Sequence, residues 1–156
     1  MTLCCQEPLA GRILALDVGE RRIGVAVSDE TRTLARSLMV LNRHSREKDS
    51  DVLARLILEQ SAVMVVIGLP LVADGSEGSQ AQRIRRYAQG LQNALAVREV
   101  RLPIVFHDES FSTVDATQAM IQGGRKRRQR RQRLDAVAAA VILQSYLDQH
   151  SQDKFT

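Results

Sequence analysis

Hydrophobic positions along the chain follow two different rhythms. "RILALDVG" (Arg12–Gly19) is a continuous apolar, β-prone run that closes on Asp-Val-Gly. "RRIGVAVSD" (Arg21–Asp29) follows almost at once, with Val25 and Val27 alternating with the small residues Gly24, Ala26 and Ser28. Two such runs separated by a few residues predict a β-hairpin. "LARSLMVLN" (Leu34–Asn42) is a candidate third strand. "AVMVVIGLP" (Ala62–Pro70) and "RLPIVFHDE" (Arg101–Glu109) read as strands buried on both faces. Between them the rhythm changes. Val52, Leu53, Leu56 and Ile57, and then Ile84, Tyr87, Ala88, Leu91 and Leu95, recur at helical spacing.

The remaining segments follow from local chemistry. "LVADGSEGSQ" (Leu71–Gln80) has loop composition, with a turn at Asp74-Gly75. Ser112 in "STVD" can N-cap a helix, with Asp115 in the reciprocal capping position. That helix would stop at Gly123-Gly124. Asp135–Asp148 is predicted as a final helix, alanine-rich in its first half so that it can approach a sheet closely. Strands alternating with helices imply an α/β fold: a mostly parallel sheet covered on both faces, with the hairpin at one edge.

Length and composition add bounds. The 156 residues suit one domain with its own core. The expected division is an N-terminal extension, loosely ordered, over 1–12, a single domain over 13–148, and a short tail over 149–156. No apolar stretch is long enough to span a bilayer, and no signal peptide is visible, so a cytoplasmic location with no membrane partner is expected. Cys4 and Cys5 are adjacent and match neither a CxxC nor a zinc spacing.

Charge changes the picture more. The formal net charge is +4, yet seven of the nine positions from Arg125 to Arg133 are Arg or Lys. Without those seven, the remaining 15 basic residues face 18 acidic ones, a net of −3. Basicity is therefore concentrated in one internal segment, read here as a basic loop, and a concentrated patch points to a polyanion such as nucleic acid. Aromatic content of only 3% argues against extensive base stacking, with Phe111 one candidate.

Sites in open α/β sheets form outside the carboxyl ends of the parallel strands. Asp17 ends the first strand, Glu109 follows the last, and Asp135 opens the final helix beside the basic segment. Three converging carboxylates repel one another unless a cation neutralises them, and oxygen ligands favour Mg²⁺ or Mn²⁺. Each acid also has a plainer role open to it: a turn for Asp17, a cap or salt bridge for Glu109, a helix-start charge for Asp135. With another strand between those of Asp17 and Glu109, their backbones would lie roughly 10 Å apart. Arg21 and Arg22 are secondary phosphate candidates, equally readable as a solvated pair at a hairpin turn. Ser112 and Thr113 can donate to phosphate. His107, at a strand end, reads as packing rather than acid–base chemistry.

Four segments in order, "LALDVGERRIGVAVSD", "VIGLPLVADGSEG", "FHDESFST" and "RLDAVAAAVILQSYL", resemble the YqgF/RuvX family over about Ile13 to Leu147. The resemblance implies a ribonuclease-H-like fold, with a mixed central sheet, an N-terminal hairpin and helices on both faces. It also implies a metal-dependent nuclease that acts on the 5′ end of pre-16S ribosomal RNA, or a Holliday junction resolvase acting on branched DNA. The family's acidic triad falls on Asp17, Glu109 and Asp135, as catalytic residues and ligands of Mg²⁺ or Mn²⁺. Its basic segment falls on Arg125, Lys126, Arg127, Arg128, Arg130 and Arg131. Where the family usually reads Asp-Glu-Arg, this chain reads Asp108-Glu109-Ser110. Ribosome-associated factors are possible partners, and the oligomeric state is open. Two competing classes are a non-catalytic nucleic-acid-binding factor and an ATP-hydrolysing actin-like or sugar-kinase-like domain. The second class normally pairs two domains, which a chain of this length does not supply.

Overall fold

A computed structural model describes residues 11–70, 78–108 and 127–152, with side chains of the last segment described from 136 to 150. The elements in chain order are β1 (Arg12–Val18), β2 (Arg22–Ser28), β3 (Ala35–Asn42), α1 (Arg46–Glu59), β4 (Ala62–Leu69), α2 (Ser79–Val97), β5 (Ile104–Asp108) and α3 (Arg127–Gln152). The strands form one sheet in the order β3-β2-β1-β4-β5. β1 pairs antiparallel with β2 and parallel with β4; β2–β3 is antiparallel and β4–β5 parallel. The sheet is therefore mixed in equal measure rather than mostly parallel. The third strand extends the hairpin, so β1 lies at the centre of the sheet. The capped helix expected after Ser112, the Asp74-Gly75 turn, and Cys4 and Cys5 lie outside the described residues.

Alternation along the strands divides the core into two layers. Leu14, Leu16 and Val18 of β1, with Ile23, Val25 and Val27 of β2, pack under α1 and α2. Ile13, Ala15, Ala26 and Val66 point the other way and meet Ala139, Ile142, Leu143 and Leu147 of α3. Helices thus cover both faces. α1 starts where the Ser45 side chain accepts a hydrogen bond from the Lys48 amide at 3.2 Å. The β1–β2 turn is tight: the Gly19 amide donates to the Arg22 carbonyl at 2.9 Å, and a Cβ on Gly19 would lie 2.8 Å from that oxygen.

The last helix departs from its expected bounds. It begins at Arg127, not Asp135, so most of the basic segment is helical rather than a loop. Arg, Lys and Gln are good helix formers, and nothing after Gly124 interrupts them. Asp135 consequently lies in the third turn of α3, away from the charge of the helix start.

α3 is tied to the edge strand as well as to the core. The Ser37 hydroxyl donates to the Ala136 carbonyl at 3.0 Å. Gln144 accepts from the Ala35 amide at 2.9 Å and donates to the Thr33 carbonyl at 3.1 Å, occupying backbone groups of an otherwise open edge. These contacts run backward along β3 as α3 advances. α3 is therefore antiparallel to β3 and β1, and its N-terminal part is directed toward the carboxyl ends of those strands. Among the described residues no helix is long and apolar enough to cross a membrane.

Close approach of α3 requires small residues, and Ala139 is fully buried against the sheet. Ala139→Leu is expected to lower unfolding free energy by about 1–3 kcal/mol through overpacking. Val97→Ala, at a side chain 83% exposed, should change it by less than about 0.5 kcal/mol. Chemical denaturation of both variants checks the difference.

Candidate active site

The face of the sheet under α3 tapers from one end to the other. Its first row is Ser28, Ile13 and Met64; its second is Ala26, Ala15 and Val66. In the third row Asp17 pairs with Gly24 of β2. The parallel register Leu16↔Ile67 continues one step to set Gly68 of β4 on the other side of Asp17. Side chains therefore shrink toward the carboxyl end of β1 until a half-buried carboxylate stands between two glycines, where the neighbouring strands carry no Cβ. On the α3 face, Asp17 is thus flanked across the sheet by two positions without a side chain.

Two further positions share this face. Arg22 lies two residues from Gly24 on β2, diagonal to Asp17, and is half-buried. Its neighbour Arg21 is exposed, and its backbone carbonyl accepts from the Arg43 amide at 2.9 Å. The two arginines that read as one pair in the sequence are thus separated by strand alternation, and only Arg22 faces the side of Asp17. Position 135 sits four residues before Ala139 and eight before Leu143, both fully buried against the sheet. Its place in the helix is on the sheet-facing stripe, at the end of α3 directed toward the carboxyl end of β1. Position 128, seven residues earlier, falls on the same stripe. Side chains at Arg127, Arg128, Arg130, Arg131 and Asp135 lie outside the described set, as do residues Glu109, Phe111, Ser112, Thr113, Arg125 and Lys126 altogether.

β4 does lie between β1 and β5, as the two-strand separation of Asp17 and Glu109 assumed. Gly68 pairs with His107, which places His107 in the row of Asp17. Its Nε2 lies 3.0 Å from the Ser145 hydroxyl of α3, and its ring meets Tyr146 edge-on at 6.0 Å. Burial lowers the His107 pKa, the nearby Asp108 opposes that shift, and His150 adds to it. A buried, mostly neutral imidazole bonded to a serine is a packing element. It pins the C-terminal half of α3 to β5 and so fixes the lie of the helix over the sheet.

The sequence places Asp17 at the end of an apolar run but does not show its neighbours across the sheet. Gly24 and Gly68 are visible as one glycine in each neighbouring strand, and their place beside Asp17 becomes legible only once the register is known.

Comparison with known proteins is decisive at the level of family. A model of the RuvX family, described as Holliday junction resolvase, matches residues 11–149. The chain belongs to the RuvX family. RuvX proteins from Syntrophus aciditrophicus and Paracoccus denitrificans, each named "Putative pre-16S rRNA nuclease", are both 41% identical to it. The first match covers 92% of this chain and 92% of the relative, the second 90% and 86%. In fold, this RuvX chain resembles Thermus thermophilus RuvC in complex with a Holliday junction substrate. The TM-score is 0.55 at 13% identity, covering 91% of this chain and 96% of that one. It also resembles the fowlpox virus resolvase bound to Holliday junction DNA, with TM-score 0.53 at 13% identity over 89% of this chain and 98% of that one. The ribonuclease-H-like fold expected from the sequence is the fold observed. The family is one of nucleases, hydrolases of phosphodiester bonds.

A histidine held neutral in the fold makes stability depend on pH. Below about pH 6.5, the ordinary histidine value, the unfolded chain takes up the proton more readily than the folded one. The His107 contribution is thus complete above that value and is lost as pH falls through the lowered folded pKa. The thermal midpoint of the wild type should drop more between pH 7.5 and pH 5.5 than that of His107→Gln. Parallel profiles would assign the pH dependence to other groups.

Proposed function

We propose that this RuvX protein hydrolyses phosphodiester bonds at the 5′ end of pre-16S ribosomal RNA, in the cytoplasm, with Asp17, Glu109 and Asp135 as its catalytic acids. The observation that carries the reading is the half-buried carboxylate of Asp17 between two glycines at the carboxyl end of the central strand. The relatives named for pre-16S processing, matching over nine-tenths of the chain, support the choice of substrate.

The donor chemistry fits a hard divalent cation. Asp17 supplies an oxygen ligand, and Gly24 and Gly68 beside it carry no side chain to compete for an ion or a phosphate. Among the described residues no three His, Cys, Asp or Glu side chains come together. The site therefore needs Glu109 and Asp135 to complete it. When bound by these three carboxylates, Mg²⁺ or Mn²⁺ would supply activation of water and stabilisation of charge on the phosphoryl oxygens.

The chain's own residues do the rest. Arg125, Lys126, Arg127, Arg128, Arg130 and Arg131 gather backbone phosphate and release counterions. Because α3 carries both the arginines from Arg127 onward and Asp135, binding the strand on the helix brings it toward the acids. Arg22 holds a phosphate on the Asp17 face of the rim, and Ser112 and Thr113 donate to phosphate beyond β5. With Ser110 after Asp108-Glu109, Arg22 and the α3 arginines carry the positive charge that the family's usual arginine would add. Few aromatic residues are available, so recognition works through backbone and shape, with ribosome-associated factors supplying sequence context.

Junction cleavage is the second reading, favoured by the family description and requiring a two-fold assembly to cut symmetrically. Incubation of the purified chain with pre-16S RNA, four-way DNA junctions and unrelated RNA, each with Mn²⁺ or EDTA, separates the readings. Cleavage of the precursor in Mn²⁺ alone is expected. Asp17→Asn should lower its rate on the order of 100-fold or more, since a bound ion supplies several kcal/mol in the transition state. Equal rates in wild type and variant would leave only a binding role.

A further inference from the structure

The opposite face of the same rim carries a second feature that the nuclease chemistry does not use. Asp17 points toward α3; the next residue, Val18, points toward α1 and α2. Val18 and Gly19 floor a cavity of about 130 Å³ whose walls are Glu20, Arg43, Arg46, Gln80, Arg83 and Tyr87. Three arginines in a cavity this small call for an account.

Arg43 is fixed in place. Its Nη1 donates to the Gly19 carbonyl at 2.9 Å, its Nε lies 3.8 Å from Asp49 Oδ2, and its guanidinium sits 5.1 Å from the Tyr87 ring centre. Asp49, buried behind it, is balanced by that contact. Arg83 pairs with Glu20 at 3.6 Å, both mostly exposed and free to rearrange. Arg46, the first residue of α1, has no acidic partner among the described residues. Among the described residues, three arginines against Glu20 and Asp49 leave one net positive charge.

Tyr87, 2% exposed, stands behind Arg43, whose guanidinium lies over its ring. Gln80 belongs to the first turn of α2, which contains no acidic residue to offset the positive end of the helix.

We propose that this cavity is a phosphate subsite for an internal phosphodiester of the substrate strand, one that crosses the β1–β2 turn from Asp17. Arg46 and Arg83 hold the anionic oxygens, and Arg43, fixed by the Gly19 carbonyl and Asp49, adds positive charge behind them. The net charge of one matches the single charge of a diester. The inference rests on the nuclease reading only for the identity of the ligand.

Binding is measured on the full chain with EDTA present, so that cleavage does not enter. The probes are inorganic phosphate at constant ionic strength and a short RNA with hydroxyl groups at both ends. Arg46→Ala with Arg83→Ala should weaken both about tenfold, as expected for losing charge-assisted hydrogen bonds. Arg55→Ala with Arg101→Ala removes the same charge from exposed positions elsewhere and should weaken them far less. Unchanged affinity in the cavity variants, or equal losses in the control pair, would overturn the subsite. So would a preference for 5′-phosphorylated RNA that the cavity variants abolish, since the cavity would then read strand ends. A chain that cleaves RNA while the cavity variants bind normally loses this inference alone. A chain that shows the variant effects but cleaves nothing loses the nuclease reading instead.

Discussion

Helix α3 packs on a sheet face whose middle row is Ala26, Ala15 and Val66. Ala15, Ala26 and Ala139 are fully buried where helix and strands meet. One row further on, Gly24 and Gly68 have no side chain at all. This reduction in size leaves Asp17 as the one substantial side chain at the end of the central strand. Packing and chemistry are therefore set by a single gradient. The hydrogen bonds of Ser37 and Gln144 along β3, and the His107–Ser145 contact on β5, hold the helix across that gradient from both sides.

Continuity of α3 from Arg127 ties charge to chemistry. A basic loop would be free to sample many positions relative to the acids. A helix carries the arginines from Arg127 onward and position 135 into the stretch that holds the buried Ala139 and Leu143, so they belong to one element. On the other face of the rim, the arginine-lined cavity next to Val18 extends the same logic. Val18 lines that cavity and Asp17 lies on the α3 face, so the end of β1 borders both.

Much of this was legible beforehand. Unbroken apolar runs at 62–70 and 101–109 marked buried strands, and helical spacing in 84–95 marked α2, because burial on a fixed face imposes a period on the chain. Asp17 stood out as a carboxylate at the end of an apolar run. Other features lacked a local signal. α1 and α2 end with Ser61 and Glu99 in the left-handed conformation, with φ of 52° and 58°, where a glycine would have announced the stop. The start of α3 was hidden because a run of arginines reads as a solvated loop although arginine favours helix. Strand pairing hid most: the flanking of Asp17 by Gly24 and Gly68, and the division of Arg21 from Arg22, depend on register between segments far apart in sequence.

Mn²⁺ binding by the purified chain, followed by electron paramagnetic resonance in the absence of nucleic acid, tests the central claim most directly. The account predicts saturable binding that weakens when any one of Asp17, Glu109 and Asp135 is changed to its amide, with each variant retaining the wild-type fold by circular dichroism. Binding that survives all three substitutions would contradict a shared cation at Asp17.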